Sequence, residues 1–191
     1  MMTGVPTFTV EEARRLAEQH YGRRGTITEL PSERDQNFLL VGDDGARFVL
    51  KVANANEHRA VLEGENHVMR RVEASRVCPW LVRTREGHDI AMAGQHHVRL
   101  VTALDGQTFG STAWQTDDLR RDIGRTLGRF DEAMIGCDHP AFHRHFHWDL
   151  AHALDVVDTN LALVTDDRMR ALIRACAERH RSTVAPALVG F

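Results

Sequence analysis

Hydrophobic positions in the first half of the chain switch between helix and strand periods several times. Thr9-Val10-Glu11-Glu12 has the form of a capping box, in which threonine and glutamate satisfy each other's free backbone N–H groups, so a helix is predicted from about Val10. Ala13, Leu16, Ala17 and Tyr21 give it one apolar face, and Gly22 can close it in the left-handed conformation. Gly25–Leu30, residues 37–41 and Arg47–Val52 then read as three strands. Residues 31–36 form a polar turn, and Gly42-Asp43-Asp44-Gly45 is a hairpin signal, so the three strands form an antiparallel meander.

The third strand, Arg47-Phe48-Val49-Leu50-Lys51-Val52, is apolar except for its ends and one lysine. Asn54-Ala55-Asn56 offers helix caps, and residues 57–74 read as a helix with Val61, Val68, Met69 and Val72 along one side. At about 100° per residue, Glu65 falls inside that apolar stripe while Glu63 points away. A carboxylate on a core-facing stripe needs a partner, because burying it unpaired is expensive. Lys51 is the obvious candidate from spacing, and a solvated lysine beside a glutamate that reaches out to water fits the spacing as well.

After this helix, residues 77–81 form a loop into a fourth strand over residues 82–85. Residues 90–92 and 97–101 follow as short strands, and the last runs into Thr102-Ala103-Leu104-Asp105-Gly106. From Trp114 the pattern becomes helical. Thr116 or Asp117 caps a helix with Leu119, Ile123, Leu127, Phe130 and Met134 on one face, and Gly124 and Gly128 on another face leave room for a second helix. Thr165-Asp166-Asp167-Arg168 caps a last helix, expected to end before Pro186.

Composition narrows the function classes. The net charge is −3 at pH 7 and no long basic run occurs, which argues against nucleic-acid binding through a broad positive face. No apolar run is long enough to span a membrane, and the first residues lack the basic and apolar regions of a signal peptide. Cys78, Cys137 and Cys176 are scattered and read as reduced thiols, so a cytoplasmic location is expected.

Phe48-Val49-Leu50-Lys51-Val52 followed by Glu65-x-x-x-Met69-x-x-Val72 resembles the amino-terminal lobe of the aminoglycoside phosphotransferase family, kinase-like enzymes that phosphorylate small-molecule hydroxyls with ATP. Phe130-Asp131, Asp138-His139-Pro140 and Trp148-Asp149-Leu150 narrow the resemblance to the hydroxylysine-kinase-type branch. That branch includes bacterial versions fused to a class III aminotransferase, so fusion to further domains in a longer chain is compatible with it. The resemblance implies an α+β fold: a protein-kinase-like small ATP-binding lobe of antiparallel sheet plus one helix over residues 1–105, a linker over 106–113, and the helical start of a truncated large lobe over 114–191. It implies that Lys51 holds the α/β-phosphates of ATP and Glu65 orients Lys51. Ser32, Asp35 and Gln36 stand where the phosphate-covering loop is expected, in a polar turn without the protein-kinase glycine pattern; an ordinary solvated turn fits the same residues. Val101, Thr102, Ala103 and Leu104 match the hinge that binds the adenine edge, and an edge strand ending at a turn fits them equally.

The family's chemistry also needs a His-Gly-Asp loop followed by an asparagine, and a further aspartate for magnesium. His147-Trp148-Asp149 is the nearest look-alike, but Leu154 stands where the asparagine belongs. No residue of this chain is therefore assigned a catalytic role, and the magnesium ligands are expected beyond residue 191. The expected partners are nucleotide and a small-molecule substrate. The expected function is the ATP-binding part of a phosphotransferase acting on an amino alcohol, hydroxy amino acid or aminoglycoside-like hydroxyl, inactive alone; the alternative is a non-catalytic kinase-like binding or regulatory protein. His143, His145 and His147 alternate as zinc ligands on a strand would, but no cysteine or acid has ligand spacing there, so they are expected to pack or be solvated and no metal site is assigned.

Overall fold

The computed structural model describes residues 4–73, 77–144, 146 and 149–188, with the side chains of Ala151 and Leu188 left aside. The chain divides into a compact unit up to Phe142 and a second from His143.

The first unit opens on helix α1, Val10–Tyr21. The capping box forms as expected: the Glu12 N–H donates to Thr9 Oγ1 at 3.2 Å, and the Thr9 N–H donates to Glu12 Oε2 at 2.7 Å. Gly22 ends the helix at φ 64°, and its N–H and that of Arg23 close on the last carbonyls. Strands β1 (Gly25–Leu30), β2 (Gln36–Gly42) and β3 (Arg47–Val52) make the antiparallel meander. Gly25 is required there, since at φ 150° a Cβ would sit 2.0 Å from the Val41 carbonyl oxygen. Helix α2 (Arg59–Arg71) follows, then β4 (Leu81–Val82), β5 (Ala91–Ala93) and β6 (His96–Thr102). The sheet order is β1-β2-β3-β6-β4, with β5 also pairing β6, every pair antiparallel.

Alternation divides the sheet into two faces. Phe38, Leu40, Phe48, Leu50, Val52, Val98 and Leu100 are buried in one core cluster with Ala13, Ala17 and Tyr21 of α1. Each large apolar side chain buried there stabilises the fold by about 1.5–3 kcal/mol. The Tyr21 hydroxyl donates to the Val98 carbonyl at 2.9 Å, and burial pushes its phenol well above the usual range. The opposite parity (Asn37, Leu39, Val49, Lys51, Arg99, Val101) lies on the other face, which carries the candidate site.

Helix α3, Asp117–Met134, is capped by Thr116, whose Oγ1 accepts from the Leu119 N–H at 3.2 Å. Arg71 of α2 holds its far end, donating to the carbonyls of Ala133 and Ile135 at 2.6 and 2.7 Å. A Cβ on Gly124 or Gly128 would meet nothing within 4 Å, so no second helix packs on that face among the described residues.

The second unit contains α4 (Ala153–Asn160) and α5 (Asp167–Arg179). Asp166 rather than Thr165 caps α5, accepting from the Met169 N–H at 2.8 Å. The helix does not simply stop before Pro186: it widens into a π turn over His180–Val184 and a 3-10 turn over Ala185–Leu188, which includes the proline. Arg181 binds both carboxylate oxygens of Asp158, at 2.6 and 2.5 Å.

Candidate functional site

The lysine strand sits in the middle of the sheet, between β2 and β6. Lys51 lies opposite Asn37 on one flank and opposite Arg99 on the other, and side chains directly opposite share a face. Two cations therefore stand side by side, a destabilising arrangement unless a carboxylate answers it. Glu65 supplies one from α2. Its helix turn lies over this face because Val61 and Val72 are buried while Val68 and Met69 are half-buried.

The carboxylate goes to Arg99. Arg99 Nη2 donates to Glu65 Oε2 at 2.6 Å, and Nη1 donates to Asn66 Oδ1 at 2.8 Å and to the Leu62 carbonyl at 3.5 Å. No acid lies within 4.0 Å of Lys51 among the described residues, so the Lys51–Glu65 pair expected from spacing is not formed. The reason is geometric. A planar guanidinium can reach several acceptors on one helix turn at once, whereas an ammonium is a point charge. Sequence reasoning passed over Arg99, although an arginine inside the apolar run Val98-Arg99-Leu100-Val101 is the same signal that singled out Lys51. A second missed signal is that Lys51 is the only lysine of the chain; every other strong cation is arginine.

Lys51, Glu65 and Arg99 line a cavity of about 470 Å³. Val49 and Val101 from the sheet, Val68 and Met69 from α2, and Pro79 and Phe142 from loops make the rest of its wall apolar. This size and lining suit a flat apolar ring with one anionic end. Gly64 lets the far wall approach: a Cβ there would stand 3.1 Å from the Phe142 ring and 3.2 Å from His139 Nδ1. The Asp138-His139-Pro140-Ala141-Phe142 motif thus packs on α2, where His139 also stacks near His67 at 5.9 Å between ring centres.

The other expected site residues divide by what occupies them. Ser32 is exposed on the turn and accepts from Asn37 Nδ2 at 3.0 Å. Asp35 Oδ1 accepts the backbone N–H of Asn54 at 3.0 Å, tying the turn to the segment after β3. Asn54 is therefore not a helix cap; its Oδ1 accepts from the Asn56 N–H at 2.9 Å, and α2 begins at His58 without a side-chain cap. Gln36 is buried, with its amide exchanging hydrogen bonds with the Phe8 backbone at 2.8 and 2.9 Å and donating to Glu29 at 2.7 Å. Val101 lines the cavity. The backbone N–H groups of Thr102 and Ala103 donate to the carbonyls of Trp80 and Arg47, each at 2.9 Å, while Leu104 is exposed just beyond the strand.

Glu65 is the single carboxylate lining the cavity, and no group of three or more His, Cys, Asp or Glu converges among the described residues. These residues do not make a magnesium site. His145, His147 and Trp148, which entered the zinc and catalytic-loop comparisons, lie outside the described residues. Cys78, Cys137 and Cys176 are free thiols, and burial raises that of Cys78 above its usual range. No helix among the described residues is long and apolar enough to cross a membrane.

Comparison with known proteins gives a consistent picture. The sequence model of the phosphotransferase enzyme family matches residues 26–188, most of the chain. A hydroxylysine kinase of Danio rerio is 25% identical over 202 residues, covering 97% of this chain and 56% of that protein. Among solved structures, an amicoumacin kinase, hAmiN, in complex with AMP-PNP, Ca2+ and Ami, superposes with a TM-score of 0.64 at 14% identity, over 82% of this chain and 51% of that one. Spectinomycin phosphotransferase APH(9)-Ia, in complex with ADP and spectinomycin, gives 0.59 at 9% identity, over 95% and 56%. The structural likenesses carry the fold, and the chain spans about half the length of the relatives it matches.

Proposed function

This chain belongs to the phosphotransferase enzyme family, and from that premise we propose that it supplies the ATP-binding part of a small-molecule phosphotransferase. The observation that carries the reading is Lys51, with no protein acid beside it, at the polar end of an apolar cavity. The acceptor is a hydroxyl on an amino alcohol, a hydroxy amino acid or an aminoglycoside-like molecule. Similarity to hydroxylysine kinase supports the amino-alcohol class.

In this reading residues 1–105 are the small lobe, 106–113 the linker and 114–191 the helical start of the large lobe. The adenine enters the apolar part of the cavity against Val49, Met69 and Val101, with the backbone of residues 102–104 at its edge. The Lys51 ammonium meets the α/β-phosphates as a charge-assisted donor, and Glu65 orients the cationic end of the site. Ser32 and the backbone of its turn face the phosphates; Asp35 and Gln36, whose side chains are engaged by Asn54, Phe8 and Glu29, contribute by shaping that turn. In the whole reaction the acceptor oxygen bonds to the γ-phosphorus as the bridging bond to ADP breaks. Magnesium, when bound, neutralises phosphate charge. The proton acceptor and the magnesium ligands are not assigned to residues of this chain, so this part alone is inactive in transfer.

Calorimetric titration with Mg-ATP and with ADP tests the reading on the wild-type chain and Lys51→Ala. Saturable binding that weakens about ten-fold or more in the variant supports it, since a charged hydrogen bond is worth about 1.5–3 kcal/mol. Equal affinity in both proteins would remove Lys51 from the site, and no binding to either would remove the nucleotide reading from this chain.

A further inference from the structure

The two cations on the cavity face are not equivalent. Arg99 is buried, and its guanidinium spans three acceptors on one turn of α2: the Leu62 carbonyl, Glu65 Oε2 and Asn66 Oδ1. That makes it a clamp between β6 and α2, fixed at both ends. Lys51 stands directly opposite it in the β3–β6 register, with its ammonium committed to no acid among the described residues. One carboxylate thus serves two neighbouring positive charges and is bonded to one of them through a single oxygen.

We infer that Arg99 is a positioning residue for the nucleotide site: it holds Glu65 away from Lys51, so that the lysine's ammonium stays available to an anionic ligand. The inference rests on the nucleotide reading above for its function, and on the Arg99–Glu65 geometry for its physical basis. Without Arg99, the nearest unsatisfied cation for Glu65 is Lys51. The two would then pair, and an incoming phosphate would have to displace that carboxylate. A lysine in place of Arg99 would keep the charge but lose the fork that spans residues 62, 65 and 66.

Because Lys51 is the only lysine, its acylation by an amine-reactive ester at fixed pH can be followed on one peptide by mass spectrometry. In ligand-free protein, Arg99→Met is expected to slow Lys51 acylation about five-fold or more, as Glu65 falls onto the ammonium. Arg99→Met combined with Glu65→Gln is expected to restore the wild-type rate, a rescue that a purely structural role for Arg99 would not produce. An unchanged rate in Arg99→Met, or a slow rate that the second substitution does not restore, overturns the inference. Should Arg99→Met fail to fold, Glu65→Gln alone decides. Its amide can still accept from Arg99, and the expected rate is within about two-fold of wild type. A several-fold faster rate would mean Glu65 already holds Lys51, and would overturn the inference. Protection of wild-type Lys51 by Mg-ATP is the separate arm. If protection is absent while Arg99→Met still slows acylation, the nucleotide reading fails and the clamp stands; if protection is present while Arg99→Met changes nothing, the clamp fails and the nucleotide reading stands.

Discussion

Arg99 keeps only 3% of its side chain exposed, while Glu65, bonded to it at 2.6 Å, is 53% exposed. The pair is therefore asymmetric under mutation. Removing the acid strands a buried guanidinium; removing the arginine leaves a carboxylate that water can reach. Glu65→Ala is expected to cost about 2–3 kcal/mol, below the range for a wholly buried pair. Arg99→Met, which mainly orphans Asn66 Oδ1, is expected to cost about 1–2 kcal/mol. Urea unfolding of the two variants measures the order. A larger loss in Arg99→Met would mean that side-chain packing, and not charge, dominates at this position.

Gly64 sets how closely the Phe142 wall approaches α2. Gly64→Ala gains about 1 kcal/mol of helix propensity, and spends it pushing against the Phe142 ring and His139, so its stability is expected close to wild type. Gly64→Leu cannot fit without moving residues 139–142 and is expected to lose about 1–3 kcal/mol. Because Phe142 lines the cavity, the leucine variant should also bind Mg-ATP more weakly. Thermal unfolding and calorimetry together check this; a leucine variant as stable as wild type would contradict the contact.

Gln36 separates structural from ligand-facing roles in the turn. Gln36→Leu strips hydrogen bonds from both backbone groups of Phe8 and from Glu29. The expected loss is about 2–3 kcal/mol of stability. Nucleotide affinity, measured where the variant is fully folded, should stay within about two-fold of wild type. A larger fall in affinity would bring the Gln36 side chain back to the phosphates.

Burial holds the His97 imidazole below its ordinary value of 6.5, and the Arg59 guanidinium adds to the effect. The folded chain therefore binds this proton less readily than the unfolded chain does. Stability from this group is complete above pH 6.5 and falls as the unfolded state takes up the proton below it. The melting temperature of wild type should drop more between about pH 7.5 and 5.5 than that of His97→Phe. Parallel pH profiles for the two proteins would mean that His97 does not contribute.

What could be read from the sequence was what local chemistry decides. The capping box at Thr9, the meander hairpin at Gly42–Gly45 and the inward parity of Phe48, Leu50 and Val52 each need only neighbours a few residues away. The start of α2 was misplaced because Asn54 is drawn to Asp35 and Arg34 of the previous turn, contacts 19 and 20 residues distant. The same limit hid the true partner of Glu65. Spacing put Lys51 and Glu65 near one another, and both do line one cavity, but choosing between two cations on adjacent strands requires the β3–β6 register. The glycines of α3 show the converse: Gly124 and Gly128 suggested a close helix neighbour, and a small residue records only that an approach is allowed.

A lone lysine in an interior strand also turns a specific protease into a clock. An endoproteinase that cuts only after lysine has one target bond, between Lys51 and Val52, hydrogen-bonded to strands on both sides. Surface fraying, loop motion and the loosening of either end expose no site to it. Cleavage must wait until the centre of the sheet opens, so the rate at which one band becomes two reports opening of the sheet itself, in a mixture and without a label.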